Sequence, residues 1–193
     1  MLRPPLKGGR GVLGILSVAM RGTTNVFLIG PMGSGKTAVG RHVARVLGLP
    51  FYDSDTEIER RTGVDIAFIF EKEGETGFRQ REREAIEALS ALKNIVLATG
   101  GGAVLLPENR HHLATRGRVV YLQTSVTQQA HRVRYGRHRP LIAQGDPALR
   151  LGELMDARAP LYEGIADVVV ATDGRRVQHV AEAVLRALGQ LPA

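Results

Sequence analysis

The amino-acid sequence predicts an α/β fold, a three-layer sandwich in which helices cover both faces of a five-stranded parallel sheet. Two observations carry this prediction. Short apolar runs alternate with segments of helical periodicity along the 193 residues, which is typical of parallel α/β domains. The first apolar run passes through a glycine-rich turn into a helical segment, as strands do at the ligand-binding edge of such sheets. We therefore expect one domain whose ligands bind at the carboxyl ends of the strands.

The order of the elements follows from the spacing of apolar residues. The stretch NVFLI at 25–29 predicts a buried strand, and a helix at 37–47 follows with apolar residues three and four positions apart. A strand at 49–52 precedes two helices, at 55–61 and 65–92, and the longer helix is interrupted at Gly74 and Gly77. The remaining strands are predicted at 95–98, 119–122 and 168–170, and the remaining helices at 107–114, 125–135, 149–162 and 177–188.

The composition is that of a packed, basic protein. Hydrophobic residues make up 44% of the chain and charged residues 23%, which are ordinary values for a globular domain. The absence of cysteine excludes disulfides and thiolate metal sites, and it fits a cytoplasmic protein. The net charge of +7 has two explanations of similar weight, anionic ligands and a general preference for arginine.

Residues 1–22 differ from the rest of the chain. The apolar stretch at 12–20 follows basic residues, as in a signal peptide, but it is short, contains glycine and precedes no clear cleavage site. It is also too short for a transmembrane helix. We interpret 1–22 as an extension, either disordered or upstream of a true start at Met20, and 23–193 as a single domain. Mass spectrometry of the native N-terminus tests this, and a mature, ordered chain beginning at Met1 would contradict it.

A phosphate-binding pattern follows the first predicted strand. Residues 30–37 (GPMGSGKT) fit G-x-x-x-x-G-K-[ST] and lie between a strand and a helix, the context that this P-loop motif requires. Glycines let backbone N–H groups wrap a phosphate, and the helix N-terminus adds partial positive charge. Lys36 is expected to contact the β- and γ-phosphates, and Thr37 to offer its hydroxyl to Mg²⁺. A structural turn with a surface lysine is the weaker alternative, so we predict binding of a nucleoside triphosphate.

Two carboxylates follow the second predicted strand and so lie at the same edge of the sheet. They are Asp53 and Asp55. The strand at 95–98 runs into threonine and glycines, not into the acidic residue that usually accompanies a P-loop. One aspartate is therefore expected near Mg²⁺ and the other at a substrate hydroxyl. Capping of the next helix would explain the two aspartates equally well.

Arginine, glutamate and glycine residues supply the next candidates. Arg79 and Glu82 are three residues apart and share a helix face, so the arginine can bind a carboxylate while Glu82 fixes its direction. A solvent-exposed helix with many ion pairs is the slightly favoured alternative for this segment alone. The run Thr99-Gly100-Gly101-Gly102 lets backbone N–H groups approach a ligand, unless its glycines serve only a loop with positive φ angles.

The segment 131–139 (HRVRYGRHR) contains four arginines. Nucleic acid is a poor fit, because Tyr135 is the only tyrosine, phenylalanine or tryptophan in it that could stack on a base. A lid whose arginines close over a triphosphate agrees better with a P-loop in the same chain.

As a set, these segments resemble the shikimate kinase family, whose members have a P-loop kinase fold with a mobile lid. The matching segments occur in the family's order: GPMGSGKT, FYDSDTEIE, EGETGFRQRE, ATGGG, RHRPLI and ARAPLY. The resemblance extends from about residue 25 to 187. It is specific because all six segments occur together. It implies that ATP phosphorylates the 3-hydroxyl of shikimate, a step toward aromatic amino acids.

The resemblance also implies roles for individual residues. Asp55 contacts the ring hydroxyls as the candidate base and, with Lys36 and Arg139, forms the catalytic set. The other acceptor-side residues are Arg79 and Arg158 at the carboxylate, and Gly101 and Gly102 through their backbone. Thr37 and Asp53 hold Mg²⁺. The residues that contact the phosphates of ATP are Gly33, Ser34, Gly35, Lys36, Thr37 and Ala38. Arg132 lies against the adenine, and Arg139 contacts ATP from a lid at about 132–147. Arg175 is a further ATP contact, for which Arg176 is the alternative.

Two other functions are weighed against this one. A P-loop kinase for gluconate or a nucleoside monophosphate disagrees with the acceptor-side set, because a nucleotide acceptor needs a base pocket and not two carboxylate-binding arginines. A nucleic-acid-associated ATPase would bind DNA or RNA tightly and lose that affinity steeply as salt is added. We expect neither nucleic acid nor a membrane as partner, and we predict a monomer that binds ATP and shikimate.

Overall fold

Five parallel strands form the middle layer of the molecule. A computed structural model of the chain describes residues 25–133 and 146–191. The strands in these residues are β1 (Asn25–Ile29), β2 (Phe51–Asp53), β3 (Val96–Ala98), β4 (Gly117–Gln123) and β5 (Val168–Ala171). They pair in the order β2-β3-β1-β4-β5, and every neighbouring pair is parallel. The predicted five-stranded parallel sheet is confirmed.

Helices connect the strands and cover both faces of the sheet. In the described ranges they are α1 (Lys36–Leu47), α2 (Ser54–Thr62), α3 (Ile66–Ser90), α4 (Pro107–Arg116), α5 (Val126–Val133), α6 (Pro147–Glu163) and α7 (Val177–Ala187). Helix ends that the structure describes lie within two residues of their predicted positions. A 3₁₀ turn at Ala103–Leu105 follows β3 and was not predicted. None of the helices within these two ranges is long and apolar enough to cross a membrane.

The alternation of side chains along β1 explains the three layers. Val26 and Leu28 point to one face and pack into a core with α1 and α7, including Val43. Phe27 and Ile29 point to the other face and pack into a core with α3, α4 and α6. Each of these four strand residues is at most 1% exposed. Because this part of the strand is buried on both faces, all four positions are apolar, as the sequence suggested.

Helix α3 contains a kink at Gly74. This residue has φ 67° and ψ −174°, a backbone conformation that only glycine adopts readily. A Cβ at Gly74 would meet no atom within 4 Å, so the positive φ, and not lack of space, requires the glycine. Arg81 bridges the kink by a two-pronged ion pair with Glu73, at 2.7 and 2.8 Å. The predicted interruption at Gly74 is confirmed, whereas Gly77 lies in continuous helix and that part of the prediction was wrong.

The side chain of Asn25 links three segments at the amino end of the sheet. Its Nδ2 donates to the carbonyls of Leu92 at 2.7 Å and Arg116 at 3.2 Å, and its Oδ1 accepts from the N–H of Ile95 at 3.2 Å. Asn25→Ala should lower the free energy of unfolding by about 2–4 kcal/mol, because it leaves buried backbone groups without partners. Urea unfolding measures this. Gln178→Ala, in an exposed pair on α7, should change it little, and equal losses would contradict the prediction.

Candidate active site

A cavity of about 540 Å³ lies at the carboxyl end of the sheet. Its walls come from the turn after β1, the start of α2, both parts of α3, the glycine run after β3, and α6. The predicted site residues that line it are Gly33, Gly35, Lys36, Thr37, Ala38, Asp53, Asp55, Arg79, Gly101, Gly102 and Arg158. The fold thus brings both halves of the predicted site, nucleotide and acceptor, to one place.

Lys36 begins α1 and folds back over the glycine-rich turn. Its Nζ donates to the carbonyls of Gly30 at 2.7 Å and Pro31 at 2.8 Å, and to the Oγ of Ser34 at 3.4 Å. Lys36 is 9% exposed and Ser34 is 1% exposed, so the surface-lysine alternative was wrong. Ser34 lies inside the turn and does not line the cavity. The helix N-terminus and a buried ammonium group therefore face the same space, as anion binding requires.

Asp53 joins the glycine-rich turn to α2. Its Oδ2 accepts from the hydroxyl of Thr37 at 2.7 Å, and its Oδ1 accepts from the N–H of Asp55 at 3.1 Å. The second contact caps α2, so Asp53 caps this helix and contacts Thr37 at the same time. In the two described ranges no cluster of three or more His, Cys, Asp or Glu side chains could hold a metal. The oxygens of Thr37 and Asp53 suit Mg²⁺, which takes few protein ligands and completes its shell with phosphate and water.

Asp55 follows Asp53 in the first turn of α2 and lines the same cavity. Burial, and after it the nearby carboxylates of Asp53 and Glu82, raise the pKa of Asp55 to about 7, against the lowering effect of Lys36. A carboxyl group with a pKa near 7 exchanges a proton readily at neutral pH, which is the property of a general base.

Arg79 is held by two glutamates of its own helix. Its Nη1 donates to Oε2 of Glu82 at 2.6 Å, and its Nη2 donates to Oε1 of Glu75 at 2.9 Å. The guanidinium also lies over the ring of Phe78, 5.2 Å from its centroid. Arg79 is 8% exposed and Glu82 is fully buried, so the solvent-exposed alternative was wrong. Burial raises the pKa of Glu82 while Arg79 opposes the rise.

The glycine run after β3 leaves room for these charged groups. A Cβ at Gly102 would lie 2.3 Å from both Nη atoms of Arg79, so any side chain there would displace the guanidinium. A Cβ at Gly100 would lie 2.5 Å from Oε1 of Glu82 and 2.8 Å from Oδ1 of Asp55. Neither these two glycines nor Gly101 has a positive φ. Space, and not backbone conformation, is therefore the reason for the glycines.

Arg158 projects from α6 into the same wall of the cavity. It is 4% exposed, and its Nη1 donates to the carbonyl of Gly101 at 3.4 Å. Across the described part of the chain, Arg158 forms no ion pair with a carboxylate. The carboxylate of Glu82 interacts with this charge at a distance but pairs with Arg79 instead. A buried cation is costly without a paired anion, so Arg158 favours an anionic ligand in the cavity.

The remaining nucleotide-side predictions have different outcomes. Arg132 donates to the carbonyls of Gly33 at 2.9 Å and Thr172 at 3.1 Å, and so ties the glycine-rich turn to the end of β5. Arg175 is exposed and contacts the carbonyl of Ala171 at 3.3 Å. Neither arginine lines the cavity. Arg139 and most of the predicted lid lie outside the described residues.

Several lining residues were missed in the sequence. They are Met32, Glu59, Ile66, Phe70 and Phe78. Phe70 and Phe78 pack together with ring centroids 4.7 Å apart, and they give the acceptor half an apolar wall. The two phenylalanines lie on either side of the kink at Gly74, so regular helical spacing does not predict their contact.

Comparison with known proteins agrees with this geometry. The family model for shikimate kinase matches residues 32–189. A shikimate kinase of Methylococcus capsulatus is 54% identical over 167 residues, which cover 86% of this chain and 91% of that relative. One of Nitrosococcus oceani is 55% identical over 166 residues, covering 86% and 87%.

A solved structure agrees as well. The shikimate kinase of Acinetobacter baumannii in complex with shikimate has a TM-score of 0.87 and 45% identity, and covers 89% of this chain and 96% of that one. Sequence and fold match over most of the length of both proteins. The chain therefore belongs to the shikimate kinase family, and it is an ATP-dependent kinase that acts on shikimate.

Proposed function

We propose that the cavity holds both substrates and that the γ-phosphate passes from ATP to the 3-hydroxyl of shikimate between Lys36 and Asp55. The observation that carries this proposal is Arg158, a buried arginine that pairs with no carboxylate among the residues the structure describes and that lines the cavity together with Arg79. A planar carboxylate suits two guanidinium groups, each of which can donate two parallel hydrogen bonds. The acceptor's carboxylate therefore supplies the missing anion.

On the acceptor side, Asp55 receives the proton of the attacking hydroxyl. Its pKa of about 7 makes it a carboxylate at and above neutral pH that can still take up a proton. The backbone of Gly101 and Gly102 lines the same region, so their N–H groups are available to the ring substituents. Phe70 and Phe78 face the apolar side of the ring.

On the donor side, Gly33 to Ala38 wrap the phosphates of ATP. Lys36 exchanges carbonyl acceptors for phosphate oxygens, where its charge stabilises the transferring group. The resemblance to the family implies that Arg132 contacts the adenine and that Arg175 does so more weakly, both from outside the cavity walls. For Arg139, which lies outside the described residues, it implies contact with the γ-phosphate. Phosphoryl transfer depends mainly on positioning and charge, which explains a site made of arginine, lysine and backbone N–H groups.

Thr37 and Asp53 would hold Mg²⁺ through the hydroxyl and carboxylate oxygens that are 2.7 Å apart in the structure. A Mg²⁺ ion held by these two residues would supply positive charge that offsets the charge developing on the transferred phosphate. Asp53 also caps α2, so the metal's position is tied to the helix that carries Asp55.

We also propose a cytoplasmic monomer. The absence of cysteine gives no sign of an oxidising compartment, and light scattering after size exclusion measures the mass.

A coupled ADP-release assay tests the function directly. Shikimate, gluconate and nucleoside monophosphates are compared under identical conditions, and only shikimate should stimulate ADP release. Stimulation by gluconate or a nucleotide instead would contradict the acceptor assignment. Salt-dependent, tight binding of DNA or RNA would support the ATPase alternative.

Arg79→Lys should raise the KM for shikimate by at least about 10-fold, because an ammonium group cannot make the paired hydrogen bonds of a guanidinium. The KM for ATP should stay unchanged. Arg81→Lys is the matched control, since Arg81 lies on the same helix in an exposed pair with Glu73 outside the cavity. Shikimate kinetics that are equal in the two variants would remove Arg79 from the acceptor site.

A further inference from the structure

The hydroxyl of Tyr162 contacts the glycine run that follows β3. Tyr162 is fully buried on α6, one helical turn after Arg158, and its hydroxyl donates a hydrogen bond to the carbonyl of Gly101. Arg158 donates to the same oxygen at 3.4 Å. Burial also raises the pKa of Tyr162, so the hydroxyl remains a donor. Two donors from one face of α6 thus hold one backbone carbonyl.

Holding this carbonyl also orients the N–H group on the other side of the peptide. The peptide that joins Gly101 to Gly102 is planar and trans, so the N–H of Gly102 points away from the carbonyl of Gly101. Among the described residues the N–H of Gly102 has no hydrogen-bond partner. Gly102 lines the cavity, and it lies directly against the guanidinium of Arg79.

Gly101 is confined on its other side by the nucleotide half of the site. A Cβ on Gly101 would lie 3.2 Å from the backbone N of Met32 in the glycine-rich turn. The peptide therefore lies between the two substrate regions, and glycines give it the freedom to turn if nothing holds it. The contact from Tyr162 restricts that freedom.

We propose that Tyr162 is a positioning residue for the acceptor: its hydroxyl orients the Gly101–Gly102 peptide so that the Gly102 N–H is presented to bound shikimate beside Arg79. Tyr162 does not line the cavity, and its hydroxyl contacts the carbonyl of Gly101 beside the guanidinium of Arg158. The inference rests on the proposed function, because it assumes that shikimate binds in the cavity.

Tyr121 provides a matched control. Its ring stacks on Tyr162 with centroids 5.0 Å apart and an interplanar angle of 22°, and it is equally buried. Its hydroxyl has no hydrogen-bond partner in the described part of the chain. Tyr121→Phe therefore removes the same atom from the same pair of rings without releasing the glycine run.

The experiment measures ADP release while shikimate and ATP are varied separately, for the wild-type enzyme, Tyr162→Phe and Tyr121→Phe. Tyr162→Phe should raise the KM for shikimate by about 3- to 10-fold, the value of one lost hydrogen bond, and leave the KM for ATP unchanged. Tyr121→Phe should change neither. Calorimetric titration of shikimate without nucleotide should show the same weakening for Tyr162→Phe alone.

The outcomes separate this inference from the proposed function. A wild-type enzyme without shikimate-dependent ADP release would contradict the proposed function. If the wild type is active but Tyr162→Phe leaves the KM for shikimate unchanged, only the role of Tyr162 is overturned. The same holds if Tyr162→Phe and Tyr121→Phe raise that KM equally, or if Tyr162→Phe raises the KM for ATP in parallel. A further measurement uses only the wild-type enzyme and so does not depend on whether a variant folds. Shikimate should slow hydrogen exchange of the Gly102 amide, and unchanged exchange overturns the inference.

Discussion

Replacement of Asp55 by asparagine should lower kcat by roughly 10²- to 10⁴-fold, the usual contribution of a general base. Asparagine has the same shape and can still contact a hydroxyl, but it cannot take up a proton. Affinity for ATP should change little, because Asp55 faces the acceptor half of the cavity. Initial rates at saturating ATP and shikimate measure the effect. Asp156→Asn, an exposed change on α6, is the control and should have wild-type activity.

The same substitution should stabilise the ligand-free protein at alkaline pH. The pKa of Asp55 is raised from 3.8 to about 7 in the folded state, so the folded state binds this proton more tightly than the unfolded state. Ionisation of Asp55 therefore lowers wild-type stability as pH rises from about 4 to 7. In buffer with EDTA, Asp55→Asn should melt above the wild type at pH 8, with a difference that shrinks as pH falls through 7. A lower melting temperature at pH 8, or a kcat near that of the wild type, would contradict the assignment of Asp55.

Replacement of Lys36 by methionine should lower kcat by about 10²- to 10³-fold or more while the protein stays folded. Methionine occupies a similar volume but lacks the charge that faces the transferring phosphate. Single-turnover measurements with saturating ATP separate this loss from weaker nucleotide binding. Lys72→Met is the control, because Lys72 lies on α3 with a side chain that is 55% exposed. Normal turnover in the Lys36 variant would defeat the P-loop assignment.

The fold was accessible from the sequence because its signals are local. Each strand contains a short apolar run, and most described helix ends lie next to a side-chain cap, a proline or a glycine. Gly77 shows the limit of such reasoning. Glycine in a helix costs only about 1 kcal/mol relative to alanine, so packing keeps α3 helical at Gly77. At Gly74 the backbone itself turns, and there the glycine is required.

The site was accessible only in part, because burial of a helix face depends on distant residues. Spacing put Arg79 and Glu82 on one face, but the choice between a solvent-exposed and a buried pair depended on the glycine run that packs against them. For Asp53, helix capping and contact with Thr37 were not exclusive alternatives, because one carboxylate oxygen makes each contact. Tyr162 ends the segment ARAPLY, but nothing in the sequence linked it to Gly101, which is 61 residues away in the chain.

The contacts of Lys36 have a consequence for the release of product. In the structure this ammonium group has carbonyl and hydroxyl acceptors within the loop that it serves. Binding of a nucleotide is therefore an exchange of acceptors, and the free energy gained is the difference between phosphate and loop oxygens. When ADP departs, the ammonium returns to its loop acceptors and no buried charge is left unsolvated. The loop thereby limits how tightly it holds a product that must leave in every catalytic cycle.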